Sequence, residues 1–378
     1  MQPIAEAAVA AGISGRWVGY RSVQQESLKE YAGRAGDRVK LEVVHTAEPA
    51  TNPLPKNVEN LRTLPADPGW WGYSFRDVPS RQSGETLRAT MPNCLISFYR
   101  DPARSNDFVP CIINEDSKAL ITREIRYRFW HGEFIRRAGP PRRIEKATWF
   151  AERVYHNYSH WLTAHLPKLI LMQELGLTND LLMPADLPKT MRDSLDIIGI
   201  DFDSLPKFDM NSPLLVGELT LLETDRFRPD LLRKVPVAFG VPSRPATGRR
   251  IFISRERAER RRLLNEDELW KLLEPAGFEK VFMEELDFRQ QLALMKDASV
   301  ICAPHGAGMT NMLFCPPGAV IIEMADPGFP NPNFYALAAA LGHDYYIVES
   351  TSVGSGHPLE KDMSVDPARL EDVLSRLP

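Results

Sequence analysis

SVICAPHGAGMTNMLFCPPGAVIIEM, residues 299–324, decides the reading of the C-terminal half. Ser299 to Ala303 is a short apolar run of strand type, and the glycine-rich His305-Gly306-Ala307-Gly308-Met309-Thr310-Asn311 follows it directly. A helix from about Ala307 to Phe314 is stopped by Pro316-Pro317-Gly318, and Ala319 to Met324 forms another apolar run. Strand, tight turn, helix and strand in immediate succession make a βαβ unit. The pattern continues on both sides. Upstream, Arg250 to Ser254 is a strand, Asn265 caps a helix with Glu268 as its capping-box partner, and Gly277 ends that helix. Lys280 to Met283 is the next strand and Phe288 to Lys296 the next helix. Downstream come a helix from Asn333 to Leu341, a strand from Tyr345 to Val348 and an amphipathic helix from Pro367 to Leu377. Apolar strands alternating with helices predict a parallel, doubly wound α/β domain, whose ligands bind at the carboxyl ends of the strands.

Farther from this stretch the signal weakens. Gly240 to Gly248 (GVPSRPATG) reads as an interdomain linker. Between about 95 and 235 short apolar runs alternate with helical patterns, as in Leu181-Leu182-Met183 followed by Leu187 to Ile198. Residues 1–90 carry scattered proline, glycine and charge, with Trp70-Trp71 in a turn-like context after Asp67-Pro68-Gly69. The expected division is residues 1–240 as an acceptor-side domain, 249–350 as a nucleotide-sugar-binding domain, and 351–378 as a tail with its helix.

The chain has 378 residues with 46 Lys plus Arg against 50 Asp plus Glu, a formal charge of −4. That length suits two domains, and the acidic balance argues against a nucleic-acid coat. Hydrophobic residues at 43% exclude a disordered chain. Cys94, Cys111, Cys302 and Cys315 make no disulfide framework and no CxxC pair, so reduced thiols are expected. No apolar stretch reaches a membrane span, and Met1 to Ser14 has Glu6 but no basic n-region, so a signal peptide is not expected. A soluble, cytoplasmic protein is the expectation.

Three places carry chemistry. In the first, Gly306, Ala307 and Gly308 let a backbone approach an anion at a helix start. Asn311 stands at the third glycine position of the dinucleotide fingerprint and the motif follows the third strand of its domain, which speaks against a simple NAD site. The second is RRIFISRERAERRR, residues 249–262, with seven Arg against two Glu. Arg255 follows the first strand, where a guanidinium fork would meet phosphate oxygens. Arg260, Arg261 and Arg262 read as a solvated face. The third is His156-Asn157-Tyr158-Ser159-His160-Trp161, ending at His165. His156 and His160 would share a helix face, but Asn157 replaces the HExxH glutamate, so a zinc pair is disfavoured and either a packing role or a general base is open. Glu323 ends a strand, where a carboxylate would accept ribose hydroxyls. Gly354-Ser355-Gly356 is not a nucleophile elbow, no Walker A loop exists, and Asp201-Phe202-Asp203 lies in a turn-like stretch.

HGAGMTNMLFCPPGAVIIEM (305–324), ISR (253–255) with RRLLNEDEL (261–269), and NYSHWL (157–162) together resemble glycosyltransferase family 61 over roughly residues 145–350. The resemblance implies a GT-B fold, with two Rossmann-like domains facing across a cleft. It further implies inverting, metal-independent transfer from a nucleotide diphosphate donor, typically UDP-linked xylose, N-acetylglucosamine or arabinose. The chain looks like bacterial members associated with capsule or other surface polysaccharides. On this reading Ser254, Arg255, Gly306, Ala307 and Gly308 bind the diphosphate. His305, Thr310, Asn311 and Glu323 meet the donor sugar or nucleotide, His160 is the base, and Asn157, Trp161 and His156 are further cleft candidates. No cofactor and no nucleic acid are expected. The partners are a nucleotide-sugar donor and a glycan acceptor, with peripheral association to a membrane-bound polysaccharide assembly. The rivals are a NAD- or nucleotide-dependent Rossmann epimerase or dehydrogenase, and a non-catalytic nucleotide-sugar-binding protein.

Overall fold

The computed structural model describes residues 23–67, 73–101, 107–245, 248–355 and 360–377. The expectations for Met1 to Ser14, the Trp70-Trp71 turn and Gly356 lie outside the described residues. The chain divides into two compact units. One takes up the chain as far as Ala47 and Gly84–Arg226; the other takes up Glu48–Ser83 and everything from Phe227 onward.

The second unit is the doubly wound sheet. Its strands are β1 (Arg249–Ile253), β2 (Phe278–Val281), β3 (Ala298–Pro304), β4 (Val320–Ala325), β5 (Asp344–Val353) and β6 (Asp362–Val365). The order across the sheet is β2-β1-β3-β4-β5-β6. Every pair is parallel except β5 with β6, an antiparallel edge the sequence did not announce because β6 is only four residues long. Chain direction reverses its progress across the sheet between β1 and β3, and such switch points place a crevice at the carboxyl ends. Val320, Ile322 and Met324 of β4 face a core with Phe252, Leu269, Leu273, Tyr346, Val348 and Val373. Glu323 alternates to the opposite face.

Two local readings change. Asn265 does stand before the helix Glu266–Leu273, but its side chain does not cap it: Nδ2 donates to the Val365 carbonyl at 2.7 Å and Oδ1 accepts from the Val365 amide at 3.1 Å. The Asn265 side chain does meet Glu268, with Nδ2 donating to its carboxylate at 3.1 Å, but the Val365 backbone takes the oxygen that would have capped the helix. The segment Ala307–Phe314 is a 3₁₀ helix rather than an α-helix. The segment Glu48–Ser83 is stitched to this unit through polar contacts. Tyr335 Oη donates to the Pro53 carbonyl at 2.5 Å, Lys56 pairs with Asp344 at 2.9 Å, and the Asn57 amide exchanges two hydrogen bonds with the Ile347 backbone.

The first unit is not a second Rossmann-like domain. Its sheet runs Gln25–Ser27, Ala119–Ile121, Asp107–Ile113, Thr86–Asp101, Leu214–Glu223, Arg142–Trp149, with Lys40–His45 also on Thr86–Asp101. Only the outer pairs are parallel; the three central pairings are antiparallel. Hairpin connections replace crossover helices through this region, and antiparallel neighbours follow. The long strand Thr86–Asp101 turns at Asn93, whose φ is 47°. Phe98, Phe108, Trp149 and Phe208 pack together in the core, with ring centroids 4.9 to 6.5 Å apart. Beyond the sheet runs the helix Leu166–Glu174, buried from Leu166 to Met172 because its sequence is apolar nearly all round. The described residues are thus α/β, with one mainly parallel and one mainly antiparallel large sheet beside two of two strands. All four cysteines are buried and free. Among the described residues no helix is long and apolar enough to cross a membrane.

Buried histidines set an acid limit. Burial holds His131, His165 and His343 down to about 4. In His131 the Arg128 amide donates to Nδ1 at 2.8 Å, and in His165 the Glu152 amide donates to Nε2 at 3.1 Å; a second proton would set donor against donor. The unfolded chain takes these protons from about pH 6.5 downward while the folded chain refuses them until about pH 4. The stability they contribute is therefore complete above pH 6.5 and lost as pH falls toward 4. Urea midpoints measured from pH 7 to 4.5 are expected to fall steadily; a flat profile would refute the assignment.

Candidate functional site

The carboxyl ends of β1 and β3 enclose a hollow of about 230 Å³, lined by Ile253, Ser254, Arg255, Met283, Gly306 and Gly308 among others. That is below the roughly 300–1,000 Å³ of pockets that enclose a whole drug-sized ligand, and it suits a diphosphate-sized fragment. Arg255 is clamped by backbone carbonyls. Its Nε donates to Arg261 at 3.0 Å and its Nη2 to Arg260 at 2.7 Å, leaving Nη1 beside Gly306. A Cβ on Gly306 would stand 2.3 Å from Arg255 Nη1. The Gly306 backbone is extended, φ −177°, so close approach rather than an unusual dihedral is what requires glycine. The next amides, those of Ala307 and Gly308, precede the first hydrogen bond of the 3₁₀ turn, Met309 to Gly306 at 3.0 Å, and are available to an anion. Burial lowers the Arg255 pKa from its ordinary value, and no carboxylate is paired with its guanidinium among the described residues. Gly306→Ala is expected to displace Arg255 and weaken UDP binding at least about tenfold, with little change in melting temperature. Calorimetry with a thermal melt on the same sample checks both parts.

Around this hollow several sequence candidates take other roles. Ser254 donates its hydroxyl to buried Glu266 at 2.6 Å and accepts from the Glu256 amide at 3.1 Å. It fixes the turn that launches Arg255 and has no proton left for phosphate. Thr310 and Asn311 are fully buried. Asn311 Nδ2 donates to Gln291 at 3.2 Å and to the Gly308 carbonyl at 3.1 Å, so it shapes the loop from behind. Glu323 is fully buried with both oxygens engaged, Oε1 with His305 Nδ1 at 2.5 Å and Oε2 with Tyr345 Oη at 2.6 Å. It cannot take ribose hydroxyls. Instead it orients the His305 ring, which Phe334 and Phe329 flank at 4.8 and 5.7 Å.

Sequence reasoning missed Arg261. Arg260 pairs with Glu360 and Arg262 with Asp362, as a solvated face requires. Arg261 differs: it is half-buried, has φ 57°, and makes no side-chain hydrogen bond or ion pair among the described residues. Its pKa is pushed down to about 10 by burial and by the neighbouring Arg255 charge, against the pull of Glu323. Two like charges held together with no carboxylate in an ion pair with either, though Glu284 also lines the hollow, suit an anionic ligand. Three consecutive arginines gave the sequence no means to single out the middle one.

In the first unit the histidine segment is built differently from its expected helix. His156 lies in a turn and the helix starts at Tyr158 after the N-cap Asn157, whose Oδ1 accepts from the His160 amide at 3.2 Å. His156 and His160 therefore do not share a helix face, and the zinc geometry fails. Trp161 is 1% exposed and donates to Ser194 at 2.9 Å, which makes it core. A π-helical turn, Trp161–His165, follows. Val154, just upstream, has φ 54°. A β-branched residue there is a genuine outlier, and such strain and π turns gather at functional sites. Both flank a hollow of about 20 Å³, room for one water molecule, lined by Arg123, Glu124, Glu152, Arg153, His160, His165, Thr224 and Arg226. Buried Lys168 forms an ion pair with Glu152 beneath it. His160 Nε2 faces Arg226 Nη1 at 3.5 Å, and burial, then the Arg226 charge, hold its pKa well below 6.5. It is a neutral imidazole with little appetite for a proton.

Residues 158–322 match the protein family described as Glycosyltransferase 61. The chain is 32% identical over 134 residues to an EGF domain-specific O-linked N-acetylglucosamine transferase of Drosophila melanogaster, covering 35% of this chain and 25% of the relative. It is 33% identical over 158 residues to a β-1,2-xylosyltransferase of Oryza sativa subsp. japonica, covering 39% and 26%. A β-1,2-xylosyltransferase of Arabidopsis thaliana is 29% identical over 100 residues, covering 23% and 19%. The chain thus spans about a quarter or less of the length of these curated relatives. The likenesses support glycosyltransferase family 61 over a region that contains His160, Arg255 and the His305 loop.

Proposed function

We propose that this chain is a glycosyltransferase that moves a sugar from a nucleoside diphosphate donor, UDP-linked on the resemblance, to a hydroxyl of a glycan acceptor. The observation that carries the reading is the placement of Arg255 Nη1 against Gly306 in one hollow with Gly308. Cleaving a sugar–diphosphate bond loads negative charge onto the leaving group. Preorganised guanidinium and amide donors stabilise charge as it develops, and Arg255 and the amides of Ala307 and Gly308 are such donors, with the Arg261 charge beside Arg255. His305, held by Glu323, meets a phosphate or the donor sugar through Nε2. Direct attack by the acceptor inverts the anomeric centre. Protein cations take the place of a divalent ion in this scheme, so turnover is expected to survive EDTA. The donor held by residues of the second unit, and the acceptor's proton taken by a residue of the first, belong to the same proposal. So does a bacterial-type setting in the cytoplasm, with surface polysaccharide as product and a membrane-bound assembly as neighbour.

Calorimetric titration with UDP tests the reading: binding that inorganic phosphate displaces is expected. Binding of NADH with no UDP binding would replace the proposal with a Rossmann oxidoreductase. UDP binding without UDP release from UDP-xylose or UDP-N-acetylglucosamine, across a panel of glycan acceptors, would leave a binding protein.

A further inference from the structure

We infer that Glu124, rather than His160, is the group that takes the proton from the acceptor hydroxyl. This deepens the proposed glycosyl transfer and rests on it.

Glu124 stands in the turn after the strand Ala119–Ile121, where the Ile125 amide donates to the Thr122 carbonyl's neighbour, its Oγ1, at 3.2 Å. That turn delivers the carboxylate to the same one-water hollow as His160. Most of the hollow's other charged groups are committed. Glu152 is held by Lys168, Arg123 by Asp225, and Arg153 by Asp107. Arg226 Nε donates to Thr163 at 2.7 Å and its Nη2 to Ser159 at 3.3 Å. His165 accepts the Glu152 amide and meets the His160 carbonyl at 3.2 Å. The Glu124 carboxylate makes no hydrogen bond or ion pair among the described residues. Among the described residues lining the hollow, it is the carboxylate left open to a ligand.

The electrostatics agree with the geometry. Charging His160 would set an imidazolium against the Arg226 guanidinium, whereas protonating Glu124 removes a negative charge from beside Glu152. Burial first, then the Glu152 charge, raises the Glu124 pKa above its ordinary value, and Arg153, Arg226 and Arg123 only partly offset them. A carboxylate so raised is a better general base near neutral pH. In the step, the acceptor O–H bond breaks and its proton passes to a Glu124 carboxylate oxygen. The hydroxyl oxygen's electron pair forms the bond to the anomeric carbon. The anomeric carbon–phosphate oxygen bond breaks, and its electrons leave on the nucleoside diphosphate. His160 and Arg226 then position the acceptor oxygen, and the hollow's size admits a single hydroxyl. Val154, at φ 54°, and the π turn lie in the segment that carries Glu152, Arg153, His160 and His165 to the hollow.

Glu124→Gln keeps the shape and removes the basicity. UDP release from UDP-xylose or UDP-N-acetylglucosamine with a glycan panel is expected to fall about 100-fold in kcat, with UDP affinity unchanged. Glu124→Asp is expected to lose about tenfold and to retain the acidic limb of the pH–rate profile. In ¹³C-glutamate-labelled protein, one carboxyl resonance titrating above the ordinary glutamate range is expected to vanish in Glu124→Gln. His160→Asn is expected to keep the acidic limb. Wild-type turnover with Glu124→Gln retaining a third or more of it, acidic limb intact, overturns this inference alone. A wild-type protein that neither binds UDP nor releases it from a sugar donor removes the glycosyl-transfer reading, and this inference with it. Should Glu124→Gln not fold, Glu124→Asp and the wild-type titration decide the matter: an acidic limb absent from the wild type overturns the assignment.

Discussion

Arg255→Ala is expected to weaken UDP binding about 100-fold, close to 2.7 kcal/mol, with the fold intact. The magnitude follows from what the side chain does. Two of its three nitrogens are fixed by the carbonyls of Arg260 and Arg261, so Nη1 is presented without rotamer loss on binding. A charge-assisted bond from a preorganised fork in a part-buried site is worth more than a surface ion pair. Removing it also frees Arg261, whose carbonyl it holds. Arg255→Lys is expected to recover only a fraction, because an ammonium cannot satisfy two carbonyls and a phosphate at once. The measurement is a UDP titration of wild type, Arg255→Ala and Arg255→Lys in one buffer. Equal affinities across the three would remove the diphosphate assignment.

The second large effect concerns stability. Lys168 is fully buried and Glu152 is 6% exposed, and they are partners in an ion pair. Lys168→Ala leaves a buried carboxylate without its cation, and the expected cost is about 3–5 kcal/mol. Replacing both members, Lys168→Met with Glu152→Gln, is expected to restore much of that loss, since no uncompensated charge remains. Urea denaturation of the single and double variants supplies the comparison. If Lys168→Ala unfolds at the wild-type midpoint, the pair contributes nothing. The same change is expected to disturb the hollow above it, which Glu152 lines.

How much could be read from residues alone depended on whether partners were near in sequence. The parallel sheet of the second unit was legible because each strand and helix carries its own period and its own stop signal, as at Gly277 and Pro316-Pro317-Gly318. The Arg255–Gly306 meeting was legible for a related reason: both residues end strands of one sheet, and strand ends converge. Side chains whose partners are remote were misread. Asn265 was expected to cap the helix with Glu268 as partner; it does meet Glu268, but the Val365 backbone holds the oxygen that would cap. Glu323 was expected to accept ribose hydroxyls at a strand end, yet register places it against His305 and Tyr345. The first unit was opaque because its sheet is assembled from hairpins and distant segments. Glu124 carried no signal at all, since an acidic residue in a turn is ordinary until burial and neighbours are known.

The stretch Glu48–Ser83 belongs with residues more than 140 positions away, while its flanks on either side belong elsewhere. During synthesis this piece emerges long before Pro53, Lys56 and Asn57 can find Tyr335, Asp344 and Ile347. Cut at the apparent linker, the C-terminal half of the gene would not encode the whole of the second unit. A severed C-terminal fragment would lack the strap that docks on it, and its exposed seam would invite aggregation; supplying the missing peptide in trans is the natural remedy.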